Sequence, residues 1–333
     1  MRITRDLLLK VARDTVSQRT NADRGLLAAY MHGSMLEDDP LIGGAADIDL
    51  FLVHNEAMEG EREITRVMDD IHLDITHHSR TVYRQAKELR LHPWLGPLLF
   101  GCKILYDPQH FMDFIQASVR GQFNRPDNVL HRARFLAEHA RQMWISLKTE
   151  SPSTGPECVM LYLRAVEHIA NAVASLNGPP LTDRRFLLKF PERAQAIGRP
   201  GLYPGLLGLL GGATVDAATL RAWLPAWRAA FEGIPKDHRP PRLDAHRLTY
   251  YLYAFETILN TAQNQAILWP LLRTWTQAVS LLPPEAPQVA AWKGICDHLG
   301  LSEPAFTERV AALDAYLDLA EETLDVWGRE NGA

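Results

Sequence analysis

Two aspartates open an apolar, strand-forming run, and a chain has few ways to fold around that. The run is Asp47-Ile48-Asp49-Leu50-Phe51-Leu52-Val53, and aspartate is a residue that strands otherwise disfavour. Side chains alternate sides along a strand, so Asp47 and Asp49 share one. Two carboxylates held together repel and raise each other's proton affinity unless a cation sits between them. The pair therefore reads as a grip for a hard divalent cation, and its oxygen ligands suit Mg²⁺. Upstream, Ala28-Ala29-Tyr30-Met31-His32 is another strand-like run, and it ends in Gly33-Ser34. A glycine there lets the backbone approach a phosphate closely, and the serine adds a hydroxyl donor. Asp38-Asp39-Pro40 and Gly43-Gly44 are strong breakers, so a loop separates the two strands. Downstream, Ile71-His72-Leu73-Asp74-Ile75-Thr76 places a third carboxylate, Asp74, inside an alternating apolar run.

A strand, Gly-Ser, a variable loop and Asp-x-Asp opening the next strand together resemble the nucleotidyltransferase superfamily of the polymerase-beta type. Gly101-Cys102-Lys103-Ile104-Leu105-Tyr106-Asp107 is similar to the closing strand of many small domains of that kind. The resemblance covers the first third of the chain. It implies Asp47, Asp49 and Asp74 as catalytic, metal-holding residues, Mg²⁺ as cofactor, and ATP or another NTP as co-substrate with its phosphates at Gly33 and Ser34. Several relatives carry a basic residue just after Gly-Ser. Here Met35-Leu36-Glu37-Asp38-Asp39 is apolar and then acidic, so compensation of the triphosphate is expected from Arg80 or Arg84 after the third strand, or from the helical part. His77 and His78 are adjacent and point apart, which suits surface histidines better than the convergent ligands of a zinc site. His72 shares a strand face with Asp74 and is expected to line the site.

The grammar of the chain changes after Asn124-Arg125-Pro126. Before it, residues 5–17, 56–71 and 79–90 have helical spacing, residues 26–32, 48–53 and 73–76 read as strands, and 97–107 reads as a further sheet element. After it comes helix upon helix, with Asn177-Gly178-Pro179-Pro180 and residues 233–241 as joints. The expected architecture is an α+β nucleotidyltransferase domain over residues 1–118, a small mixed sheet with helices, followed by an all-helical domain over 119–333. The tryptophans of the second part read as helix-packing core, since no basic interleaving accompanies them.

Charge narrows the partners. Residues 1–118 hold 13 Lys and Arg against 18 Asp and Glu, and the remainder holds 22 of each, for a net −5. A grip on long nucleic acid usually shows a basic stripe, and neither part has one. Cys102, Cys158 and Cys296 are widely spaced, no apolar run approaches membrane-spanning length, and the N-terminus is charged. These features lead to the expectation of a cytoplasmic protein with reduced thiols and no membrane partner. Residues 162–171 place Arg164, Glu167, His168 and Asn171 on one helix face. A solvated face with one ion pair explains that, but the resemblance makes Glu167 a further catalytic candidate, since small-molecule nucleotidyltransferases often carry a glutamate on such a helix. The function this implies is Mg²⁺-dependent transfer of a nucleoside monophosphate from an NTP to a hydroxyl of a small acceptor, with release of pyrophosphate. Aminoglycoside-type nucleotidyltransferases share that architecture. The alternatives are transfer to a protein or RNA end, and a non-catalytic nucleotide-binding or toxin-neutralising module. The sequence sets no oligomeric state, and a homodimer is one option.

Overall fold

The alternation read from the sequence becomes a five-stranded mixed sheet in the computed structural model, which describes residues 3–37, 40–56, 62–68, 71–149 and 155–333. Helix α1 (Arg5–Ala22) is capped by Thr4, whose side chain accepts from the Leu7 N–H. Strands β1 (Leu26–His32), β2 (Ala46–His54), β3 (Arg62–Met68), β4 (Ile71–Ser79) and β5 (Lys103–Tyr106) stand in the order β3-β4-β2-β1-β5. The β2–β4 pair is parallel and the other neighbours are antiparallel. Helices α2 (Ala86–Leu89), α3 (Leu95–Gly101) and α4 (Phe111–Arg120) complete this part of the chain.

Strand periodicity sorts the side chains into two cores. Ile48, Leu50 and Leu52 of β2 join Ala29, Met31, Ile71, Leu73 and Ile75 beneath Leu8, Ala12 and Val16 of α1. On the opposite face Val53, Ala28 and Tyr30 pack with Tyr83, Leu99 and the Met112, Ile115 and Val119 stripe of α4. Asp47, Asp49 and Asp74 belong to this second face by parity, but near the start of β2 and β4, where the side chains are polar.

Three local expectations are corrected. Residues 56–71 were expected to be helical, yet the described part is β3, paired antiparallel with β4; residues 57–61 and 69–70 lie outside the described residues. Its β-branched Ile64, Thr65 and Val67 favour a strand. Val67, which completed the apparent helical spacing, is 42% exposed. The expected sheet element over 97–107 is α3 followed by the short β5, and Pro97 sits in the first turn of α3, where a missing N–H costs little. The expected helix over 79–90 is a 3₁₀ turn, Arg80–Tyr83, capped by Ser79 as its sequence suggests, and then α2.

The remainder is mostly helical: α5 (Pro126–Thr149), α6 (Pro156–Ala174), α7 (Phe186–Ala196), α8 (Leu202–Leu209), α9 (Ala217–Glu232), α10 (Arg247–Leu259), α11 (Leu268–Val279), α12 (Pro287–Leu299) and α13 (Ala305–Asn331). The chain divides into two compact units, and the first takes in Asp244–Thr257 as well as Met1–Arg125. A boundary drawn from the change in sequence grammar does not anticipate that return. The second unit comprises Pro126–Leu243 and Ile258–Ala333. Within it α5 pairs with α6 and α13, and Arg141 of α5 bridges Asp314 and Asp318, both at 2.6 Å, and Glu321 at 3.0 Å. Trp227, Trp269, Trp275 and Trp292 are fully buried in the core of this unit. Cys102, Cys158 and Cys296 are buried free thiols. Among the described residues no helix is long and apolar enough to cross a membrane.

One glycine ties the returning segment to the sheet domain. Gly43 has φ +69°, and a Cβ there would lie 2.2 Å from the Tyr253 carbonyl oxygen of α10. We expect Gly43→Ala to destabilise the chain by more than about 1–2 kcal/mol, the left-handed backbone penalty alone, because the clash with backbone adds to it. Urea unfolding checks this, and an unchanged midpoint would refute the close approach.

Candidate functional site

Parallel pairing of β2 with β4 sets Asp49 directly opposite Asp74, and Asp47 opposite His72. One carboxylate oxygen from each of Asp47, Asp49 and Asp74 lies within 4.8 Å of the others. Asp47 and Asp74 are buried, and Asp49 keeps slight solvent contact although protein surrounds it. Burial raises the Asp49 carboxyl well above the usual carboxylate range, and the charges of Asp47 and Asp74 raise it further; Arg247 and Arg62 offset part of this.

The end of β1 is fitted to that carboxylate. His32 is the register partner of Asp49, and Gly33 has φ +85° with Asp49 Oδ2 against it, so that a Cβ at 33 would fall 1.9 Å from that oxygen. A side chain there would displace Asp49, which makes glycine obligatory for two reasons at once. Ser34 Oγ is buried and has no hydrogen-bond partner among the described residues. The His32 and His72 Nδ1 atoms are likewise buried and unpartnered, and burial pushes the His32 imidazole down to about 4.

Two arginines that sequence reasoning missed hold the carboxylates. Arg62 of β3 donates to both Asp74 oxygens, Nε to Oδ1 and Nη2 to Oδ2, each at 2.6 Å. Arg247, the first residue of α10, pairs through Nη1 with Asp47 Oδ2 at 3.1 Å and donates through Nη2 to Asp74 Oδ2. Asp49 makes no such bond among the described residues. Burial alone would weaken the charge on Arg247, but Asp47 and Asp74 more than compensate and its proton is held well above the usual range. Arg62 was hidden by the helical reading of its segment, since a strand register puts Arg62 and Asp74 on one face. Arg247 lies 173 positions beyond Asp74 and carries no local signal.

The other expected residues fall elsewhere. Arg80 donates to Asn55 Oδ1 at 2.8 Å. With Arg84 it lines a cleft of about 570 Å³ shared with Tyr83, Phe111 and Phe114. At about 3.3 Å per residue, Arg80 follows Asp74 by roughly 20 Å along the strand, so the structure does not bring Arg80 and Arg84 to the carboxylates. Glu167 lies in the second unit, buried in α6 and hydrogen-bonded to Arg273 Nη1 of α11. Asn171 of the same face holds the Leu181 backbone N–H and carbonyl. His77 bonds to His54 at 2.9 Å and faces Glu63, and His78 bonds to the Tyr83 hydroxyl, so neither joins a ligand set. Of the acidic loop after Ser34, Asp38 and Asp39 lie outside the described residues.

No family model matches the chain, and no curated protein does. Among solved structures it is similar to a nucleotidyltransferase-like protein from Exiguobacterium sibiricum 255-15, at 10% identity and a TM-score of 0.32 over 93% of this chain and 90% of that one. A likeness at that level says nothing of activity.

Two outcomes follow from the geometry. The folded Asp49 carboxyl takes up a proton more readily than its unfolded counterpart, so its contribution to stability is full below the unfolded value of about 3.9 and is lost as pH rises through the folded value. In chelator, the melting temperature of Asp49→Asn relative to wild type should therefore climb as pH is raised from acid to neutral; a constant difference would refute the shift. Glu167→Gln should cost about 3 kcal/mol in urea unfolding by stranding Arg273, whose side chain is only 13% exposed, and Arg273→Met should recover much of it.

Proposed function

We propose that this chain transfers a nucleoside monophosphate from an NTP, with ATP the first to test, to a hydroxyl of a small acceptor, releasing pyrophosphate. The observation that carries the reading is the convergence of Asp47, Asp49 and Asp74 beside Gly33-Ser34. The residues fit a hard divalent cation: all donors are carboxylate oxygens, and the Asp49 carboxylate is without a bonded counter-ion. Asp47 and Asp49 would hold Mg²⁺, with Asp74 completing the grip. When bound, the ion neutralises charge on the triphosphate and the leaving pyrophosphate. Gly33 seats the Asp49 carboxylate and, bearing no side chain, lets the backbone there approach a phosphate, while the unpartnered Ser34 hydroxyl donates to a phosphate oxygen. Catalysis in such a site is positioning and electrostatics.

A second reading has an observation of its own. Arg62 and Arg247 already engage Asp47 and Asp74, as they would in a nucleotide-binding module that performs no transfer.

Pyrophosphate release from Mg·ATP with a panel of hydroxylated acceptors separates the two. Transfer predicts acceptor-dependent release that Asp47→Asn abolishes. Ser34→Ala should lower kcat/KM by the worth of one charge-assisted hydrogen bond, about 1.5–3 kcal/mol. Nucleotide binding without release for any acceptor would favour the binding module.

A further inference from the structure

We propose that Arg247, with Arg62 beside it, exchanges partners during loading of the site: the two guanidinium groups hold the carboxylates of the free protein and pass to the phosphates of a bound nucleotide. The inference rests on the nucleotide reading above and names the cations that the reading lacks.

The first argument is electrostatic. Three carboxylates converge, and among the described residues the cations bonded to them are these two guanidinium groups. Asp74 already accepts three N–H bonds, two from Arg62 and one from Arg247. A carboxylate offers about four lone-pair positions, so a metal ion and the arginines compete for the same oxygens. An ion arriving alone meets a site whose charge is already largely offset. An ion arriving with a triphosphate brings the acceptors to which the arginines can move.

The second argument is what surrounds the phosphate side. The described residues just after Ser34 are Met35, Leu36 and Glu37, which supply no cation. Guanidinium groups bind phosphate bidentately as readily as carboxylate. The third argument is an unmet donor. The Arg247 side chain is only 4% exposed, yet its Nε is buried with no acceptor among the described residues, and the Ser34 hydroxyl is in the same condition. Buried donors normally find partners. Two left open around one carboxylate cluster point to an anion that takes them up. Arg62 can leave easily, being 44% exposed, whereas Arg247 needs only to turn its guanidinium, since Gly43 seats its helix.

The test reads binding rather than turnover, on the full chain. Mn²⁺ affinity is measured by electron paramagnetic resonance without nucleotide, and affinity for a non-hydrolysable ATP analogue is measured at saturating Mn²⁺. Arg247→Gln should tighten Mn²⁺ alone and weaken the analogue, each by about tenfold or more, the lower end for a charge-assisted bond. Arg62→Gln should shift both in the same directions, and its exposed position keeps the test open if Arg247→Gln fails to fold. A merely structural role predicts that both affinities fall together, which would overturn the proposal. Unchanged analogue binding in both folded variants would also overturn it while leaving the functional reading intact. Wild type that binds Mn²⁺ but no nucleotide would sink the functional reading itself.

Discussion

Repulsion among three carboxylates on neighbouring strands is the constraint to which the first unit is fitted. Unit charges about 4.8 Å apart at an effective dielectric near 20 oppose one another by roughly 3 kcal/mol per pair, against a whole-domain stability of about 5–15 kcal/mol. A fold cannot leave such a cluster unattended. The parallel register of β2 and β4 creates it by setting Asp49 against Asp74. Gly33 gives the Asp49 carboxylate its space, Arg62 arrives through the neighbouring strand, and Arg247 arrives through a returning helix.

The two counter-ions differ in origin. Arg62 is local: β3 and β4 are adjacent, and their antiparallel register sets Arg62 opposite Thr76, on the same face as Asp74 and diagonal to it. Arg247 belongs to Asp244–Thr257, which joins the first unit after a long helical excursion. Both are arginines, and the choice is chemically apt. A guanidinium presents a fixed fork of donors that suits carboxylate and phosphate alike, whereas an ammonium is a more strongly hydrated point charge. Such groups keep the carboxylate cluster electrically tolerable, and under the proposed function they would also draw in an anion.

The helical unit follows different physics. Two of its buried tryptophans bond to threonine hydroxyls on a neighbouring helix, Trp227 to Thr274 and Trp292 to Thr276, while the indole N–H groups of Trp269 and Trp275 are buried without a partner among the described residues. Glu167 and Arg273 form a buried ion pair within the same framework, with the guanidinium also over the Trp269 ring. The polar face that made Glu167 a catalytic candidate therefore has structural work in this unit.

Sequence alone determined that β1, β2 and β4 form, which side Asp47 and Asp49 share, and that Gly33-Ser34 ends β1. All of these rest on the period of two and on glycine's freedom, which are properties of a few consecutive residues. Alternation also marked Asp74 as the third carboxylate. It did not distinguish β3 from a helix, because Ile64, Val67 and Met68 satisfy a helical spacing as well as a β-branched edge strand, and that ambiguity concealed Arg62. Nor could it choose among distant cations: Arg80 and Arg84 follow Asp74 within ten positions, yet strand length carried them away from it. Only the tertiary structure decided that Arg247 sits on Asp47 and Asp74. A counter-ion is selected by distance in space and by the energy of burying charge, and neither is written in the order of the residues.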